Sequence, residues 1–289
     1  MKQSPYMRRE ARTGVMFSLP AILGTGVFFL APFVVAIFYS LTGGGAGEFR
    51  GIANYADLMQ NPAFLLASAN TGKFIGIAVP LIMAVSLCVA LLLYKNLRGF
   101  ATFRTLFIFP LVLPASSVAL VFQILFAKNG AVNDLLTLCG LPVSDWLQSD
   151  NAFWVLTILY IWKNCGYNII LFLAALNAVP KDFYEAAEID GAGGGRKFFG
   201  ITVPLIMPYT FFILLISIIN TFKSFREAYV LCGTHPHKSI YMMQHFLNNN
   251  FENINFVRLS SAAIIIFLVI SALIFVLFWL KSRSGEVEL

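Results

Sequence analysis

Five stretches without a single charged residue, 13–47, 74–94, 105–127, 198–222 and 259–280, constrain this chain more than any other feature. A sixth, 151–180, is interrupted only by Lys163. A bilayer core about 30 Å thick is crossed by about 20 apolar residues in helical conformation, so each run is a candidate span. Charged residues make up 12% of the chain, about half the share usual in soluble domains, where they reach about 25%. The 289 residues are used up by the spans and short connections, which leaves no room for a separate soluble domain. The expectation is one transmembrane domain over 1–289, all-α, with six transmembrane helices at about 14–40, 74–94, 105–127, 152–176, 204–222 and 259–280.

Lys and Arg are spread unevenly over the connections. Segments 1–13, 95–104, 177–203 and 281–289 hold 12 basic residues in 59 positions, whereas 41–73, 128–151 and 223–258 hold 7 in 93. Basic residues mark the cytoplasmic side, which puts both termini in the cytoplasm. That bias also explains the net charge of +6 better than a nucleic-acid partner does. The first apolar run, 35 residues, is far longer than a signal-peptide core of about 7–15, and is read as an uncleaved anchor. Pro80, Pro110 and Pro114 should kink the second and third spans. Cys139 and Cys232, in connections on one side, are either free thiols or a disulfide.

The fourth span has two faces. At about 100° per residue, Tyr160, Lys163, Asn164, Tyr167 and Asn168 share one arc, and Ile158, Trp162, Cys165, Ile169, Leu173 and Leu176 the other. In the fifth span Tyr209, Ser217 and Asn220 fall together with Thr210 and Thr221. Two polar stripes point either to a shared wet pathway or to helices joined by hydrogen bonds worth about 0.6 kcal/mol each. Lys163 weighs toward the pathway, because a cation at mid-membrane costs about 2.5–3.5 kcal/mol and normally faces a cavity or partner. No acidic residue lies within the expected spans, so water, a ligand or another chain is expected to meet it.

The longest cytoplasmic connection, 177–203, reads as two short helices around a sharp turn. Pro180, Asp182 and Glu185 favour a helix start, Lys181 can meet Glu185, and Gly191 ends the helix where φ > 0 is needed. A second helix runs through Arg196, Phe198, Phe199 and Ile201 to Pro204. Such a hairpin either plugs a groove on another protein or lies on the membrane surface.

The run EAAEIDGAGGGRKFFGITVPLIMP resembles the EAA loop of permease subunits in bacterial ATP-binding-cassette importers. Glu185, Ala186, Ala187, Asp190, Gly191, Ala192, Phe198, Ile201, Pro204 and Pro208 stand at that family's spacing. Phe49, Gly51, Asn54, Tyr55 and Leu58, the pair Asn70-Thr71, and Phe103, Arg104, Pro110, Pro114, Gly130 and Asn133 resemble its carbohydrate, maltose-type branch. The resemblance implies a coupling-helix hairpin between the fourth and fifth spans that docks into a cytoplasmic ATPase, with Glu185 near a basic residue there. It also implies a second, non-identical permease, two ATPase subunits carrying ATP and Mg, and an extracytoplasmic solute-binding protein, assembled in the lipid of the bacterial inner membrane. The solute is expected to be a sugar or oligosaccharide. A glycerol-phosphate-type importer and a stand-alone channel or ion-coupled carrier are the alternatives.

The chain itself offers no cofactor, metal or catalytic site. Gly72-Lys73 is followed by Phe74, and Ala67 stands where a phosphate loop needs its first glycine. The three His all lie between the fifth and sixth spans, no Ser has a G-x-S-x-G context, and His235 and His237 lack further ligands nearby. Energy for transport is therefore expected from a separate subunit.

Overall fold

The computed structural model describes residues 5–43, 47–94, 106–107, 109–222 and 225–283. Their regular structure is helical, and no strand forms beyond one isolated bridge between Thr42 and Phe49. Among the described residues, five helical segments are long and apolar enough to cross a bilayer: Thr13–Leu41, Pro62–Tyr94, Ala152–Asn177, Gly194–Cys232 and Phe256–Ser282. Of the expected third span, 105–127, residues 105 and 108 lie outside the described residues. The remainder breaks at Pro114, after which an eleven-residue helix runs Ala115–Leu125. Proline has no amide hydrogen to donate and disfavours helix in the residue before it, which accounts for the break.

The helices are α1 (Pro5–Thr25), α2 (Ala31–Leu41), α3 (Ala53–Met59), α4 (Pro62–Tyr94), α5 (Ala115–Leu125), α6 (Ala131–Leu138), α7 (Ala152–Asn177), α8 (Asp182–Ile189), α9 (Gly194–Lys197), α10 (Val203–Phe222), α11 (Phe225–Cys232), α12 (Met243–Glu252) and α13 (Phe256–Arg283). Single π turns join α1 to α2 at Gly26–Leu30 and α9 to α10 at Phe198–Thr202. α4 begins twelve residues before the expected 74. Lys73, which set that boundary in the sequence, rests 4.4 Å over the Phe153 ring instead of ending the helix.

The chain divides into two compact units. One comprises Met1–Asn61 and Leu247–Val276. Within it Asn54 donates to the carbonyls of Ser40 and Thr42 (3.0 and 2.9 Å), and the Tyr55 hydroxyl meets Ser40 Oγ at 2.6 Å. These bonds satisfy carbonyls that the end of α2 leaves without intrahelical partners. Phe33 and Phe267 pack edge to face.

The other unit comprises Pro62–Phe246 and Leu277–Leu289. Its core lies along α4, α7 and α10, where Phe74, Ile82, Phe153, Leu156, Tyr160, Ile169, Phe172, Leu176 and Ile206 are buried. Polar side chains organise its connections. Asn133 donates to the carbonyls of Lys128 and Ser144 and accepts from Trp146 Nε1. Asn70 donates to the carbonyls of Lys238 and Tyr241. At the start of α12, Thr71 Oγ1 accepts from the Met243 amide and His245 Nδ1 from the Met242 amide, so two orphan donors of the first turn are satisfied. A Cβ on Gly130 would stand 2.4 Å from the Ile124 carbonyl oxygen, which explains glycine at that tight approach. All four cysteines are free thiols.

Candidate functional site

α7 and α10 place their polar stripes against each other beside α11, around a cavity of about 590 Å³. Its wall includes Tyr160, Lys163, Asn164, Tyr167, Asn168, Ser217 and Asn220, together with Ile82, Leu111, Ile216, Ile219, Arg226 and Glu227. Seven of the eight residues expected on a pathway are thus brought together. Tyr209 is not among them: it lies two turns from Ser217 along α10, about 12 Å away at 1.5 Å per residue, and packs against the apolar core.

The wall residues differ in how much of their hydrogen-bonding capacity faces the cavity. Tyr160, 1% exposed, shares its hydroxyl with Thr221 Oγ1 at 3.1 Å, and Asn168, 2% exposed, donates to Ser217 Oγ at 2.8 Å. Asn164 donates to the Tyr160 carbonyl at 2.9 Å. Tyr160, Asn168, Ser217 and Thr221 therefore join α7 to α10, and the first three also line the cavity. Tyr167 is exposed, and Asn164 and Asn220 are half-buried.

Lys163 is paired, contrary to the expectation from sequence. Its Nζ donates to Glu227 Oε1 at 2.5 Å, and both side chains are largely buried. The charge-free run ends at Phe222, so Glu227 reads in sequence as part of an aqueous connection. Instead α11 carries it back onto Lys163, 64 residues away in the chain. An uncompensated charge there would cost several kcal/mol, which the ion pair offsets. The second carboxylate oxygen, Oε2, is buried without a hydrogen-bond partner among the described residues. Such a buried acceptor costs about 1–3 kcal/mol. Arg226, exposed on the same helix, adds a cation to the cavity wall. Both α11 residues escaped the sequence reading, and the signal that could have found them is apolar periodicity resuming beyond Lys223 and Ser224.

The connection 177–203 forms two helical pieces around a turn. α8 ends in a Schellman motif, with the Gly191 amide donating to the Glu188 carbonyl at 3.0 Å and the Ala192 amide to the Ala187 carbonyl at 2.8 Å. Gly191 has φ +71°, a conformation that glycine adopts without a Cβ penalty. The second piece starts at α9 and continues through the π turn into α10 without a gap. Tyr184 and Thr202 hydroxyls lie 2.9 Å apart, and Lys197 donates to Glu188 at 2.8 Å across the turn. That hydrogen bond and the ammonium charge hold the Glu188 carboxyl below its usual range.

Glu185, Ala186, Asp190, Gly191 and Pro204 are exposed, Ala192, Phe198 and Ile201 half-buried, and Ala187 buried. Three exposed apolar side chains not singled out as docking residues stand with them, Phe183, Phe199 and Ile189, the last 88% exposed. Large apolar groups presented beside carboxylates on a short helical hairpin give a surface fit for protein contact.

Residues 76–283 match the family described as binding-protein-dependent transport system inner membrane component. The chain is 34% identical over 227 residues to an arabinooligosaccharides transport system permease protein of Bacillus subtilis, covering 75% of this chain and 71% of that one. It is 33% identical over 209 residues to an sn-glycerol-3-phosphate transport system permease protein of Yersinia pestis, covering 71% of each. Among solved structures, a chain of a bacterial ABC transporter involved in the import of the acidic polysaccharide alginate superimposes with a TM-score of 0.86 at 18% identity. That superposition covers 98% of this chain and 100% of the other.

Proposed function

Because this chain belongs to the family of binding-protein-dependent transport system inner membrane components, we propose that it forms the transmembrane pathway of an ATP-driven importer for a sugar or oligosaccharide. It is a multi-pass permease of the inner membrane and not an enzyme; ATP hydrolysis belongs to a separate subunit. The observation that carries the sugar reading is the cavity between α7, α10 and α11. Its uncharged polar groups, Tyr160, Asn164, Tyr167, Asn168, Ser217 and Asn220, are of the kind that exchange hydrogen bonds with hydroxyls, and its tyrosines offer faces to a sugar ring. Lys163, the one cation within the expected spans, is neutralised by Glu227, which leaves a phosphate Arg226 rather than Lys163 as its counter-charge.

The finer assembly is part of the proposal. The segment at about 105–127 completes a sixth span, both termini lie in the cytoplasm, and the whole chain works as one permease domain. Residues 177–203 are the coupling hairpin, with Glu185, Ala186, Ala187, Asp190, Gly191, Ala192, Phe198, Ile201 and Pro204 at the ATPase. A second, homologous permease faces the cavity, two ATPase subunits hold ATP and Mg, and an extracytoplasmic binding protein delivers the solute. ATP-driven closure of the ATPases moves the hairpin and rocks α10 against α7, exposing the cavity to alternate sides.

The test is uptake into proteoliposomes containing the complete complex and its binding protein. Arabinotriose should enter with ATP inside the ATPase-facing compartment, and glycerol 3-phosphate should not. Uptake of glycerol 3-phosphate alone would replace the sugar reading and keep the importer.

A further inference from the structure

The Lys163–Glu227 pair leaves an asymmetry that packing alone does not explain. A carboxylate only accepts hydrogen bonds, with capacity on both oxygens. Lys163 occupies Oε1, while Oε2 is buried in the cavity wall with no partner among the described residues. Three neighbouring donors of the wall are engaged with other groups. Asn168 donates to Ser217, Asn164 to the Tyr160 carbonyl, and the Tyr160 hydroxyl meets Thr221. A hydrogen-bond donor brought into the cavity by a solute can complete this carboxylate. A hydroxyl is such a donor, and its hydrogen bond to an ionised acceptor is stronger than one to an amide carbonyl.

We propose that Glu227 is a solute-binding residue, its carboxylate accepting hydrogen bonds from hydroxyls of a saccharide, with Lys163 as the positioning residue that holds it at the cavity wall. This rests on the reading of the cavity as the solute pathway. α11 then joins α7 and α10 as a third recognition element, and it brings the pathway's strongest acceptor. Exchange of the two charges separates binding from mere pairing. Lys163→Glu/Glu227→Lys keeps an ion pair between the same two positions but puts an ammonium, which cannot accept, where the solute needs an acceptor.

The experiment measures arabinotriose uptake by the complete complex in proteoliposomes, for wild type, the exchanged pair and Glu227→Gln. ATPase-subunit retention is checked first. With assembly intact, the exchanged pair should raise KM at least about tenfold, the effect expected from losing a hydrogen bond to a charged group. Glu227→Gln, which keeps an acceptor oxygen, should raise it less. A wild-type KM in the exchanged pair would reduce Lys163 and Glu227 to a structural pair and overturn the proposal. If the exchanged pair does not assemble, the uncharged pair Lys163→Met/Glu227→Leu, which strands no charge and removes the acceptor, decides in the same way, a raised KM supporting the role and an unchanged one overturning it. Failure of the underlying reading looks different: wild type would not take up arabinotriose, or Tyr167→Ala and Asn168→Leu would transport it with unchanged KM.

Discussion

Gly191 and Glu185 show what a single position contributes to the proposed docking hairpin. Nothing lies within 4 Å of a Cβ built on Gly191, so its φ of +71°, and not crowding, selects glycine. A side chain in that conformation costs about 1–2 kcal/mol, more for a β-branched residue and less for asparagine. Gly191→Asn should therefore transport near the wild-type rate, while Gly191→Val should insert in the membrane but lose ATPase-coupled uptake. Glu185→Lys should insert normally and retain less than half of the ATPase subunit on purification; full retention would remove Glu185 from the interface. The turn of the hairpin was legible because a glycine that ends a helix is a local matter. The Lys163–Glu227 pair was not, because an ion pair spanning 64 residues leaves no mark in any window of sequence. It also alters what Lys163→Gln reports: that variant would strand a buried carboxylate and destabilise the bundle, so an uptake defect would not by itself identify an anionic solute.

At the scale of the element, the start of α12 is held by Thr71 from α4 and by its own His245, which reaches back to the Met242 amide. Burial pushes His245 down to about 4, from an ordinary 6.5. Between those values the unfolded chain binds a proton that the folded one refuses, so stability falls as pH drops from about 6.5 toward 4, by up to about 3 kcal/mol for this group. His245→Gln preserves an acceptor for the Met242 amide and removes the titration. The thermal midpoint of the purified complex should thus decline more steeply between pH 7 and pH 5 in wild type than in His245→Gln, and equal slopes would assign the acid sensitivity elsewhere. Helix existence was readable from the apolar runs, boundaries less so. Lys73 seemed to end a helix and Glu227 to stand in an aqueous connection, yet Lys73 rests on an aromatic ring and Glu227 is paired with a cation. A charge count sees the desolvation penalty and misses its compensation.

For the whole molecule, the proposed topology is checked by reporters fused after Gly47, Leu147 and Asn249, which should signal outside, and after Arg98, Gly194 and Gly285, which should signal inside. An inside signal at Leu147 would remove the third span. One mechanical consequence follows from the gapless helical course of Gly194–Phe222. It makes the hairpin and the cavity wall opposite ends of a single lever, with Ser217 about 35 Å from Gly194. A tilt of about 5° at the loop end would sweep Ser217 by about 3 Å. The Asn168–Ser217 hydrogen bond is itself only 2.8 Å long, and it would be torn well before such a sweep is complete. In the proposed stroke the contacts that join α7 to α10 at rest act as detents, released and re-engaged each time, and their strength sets how much torque that stroke requires.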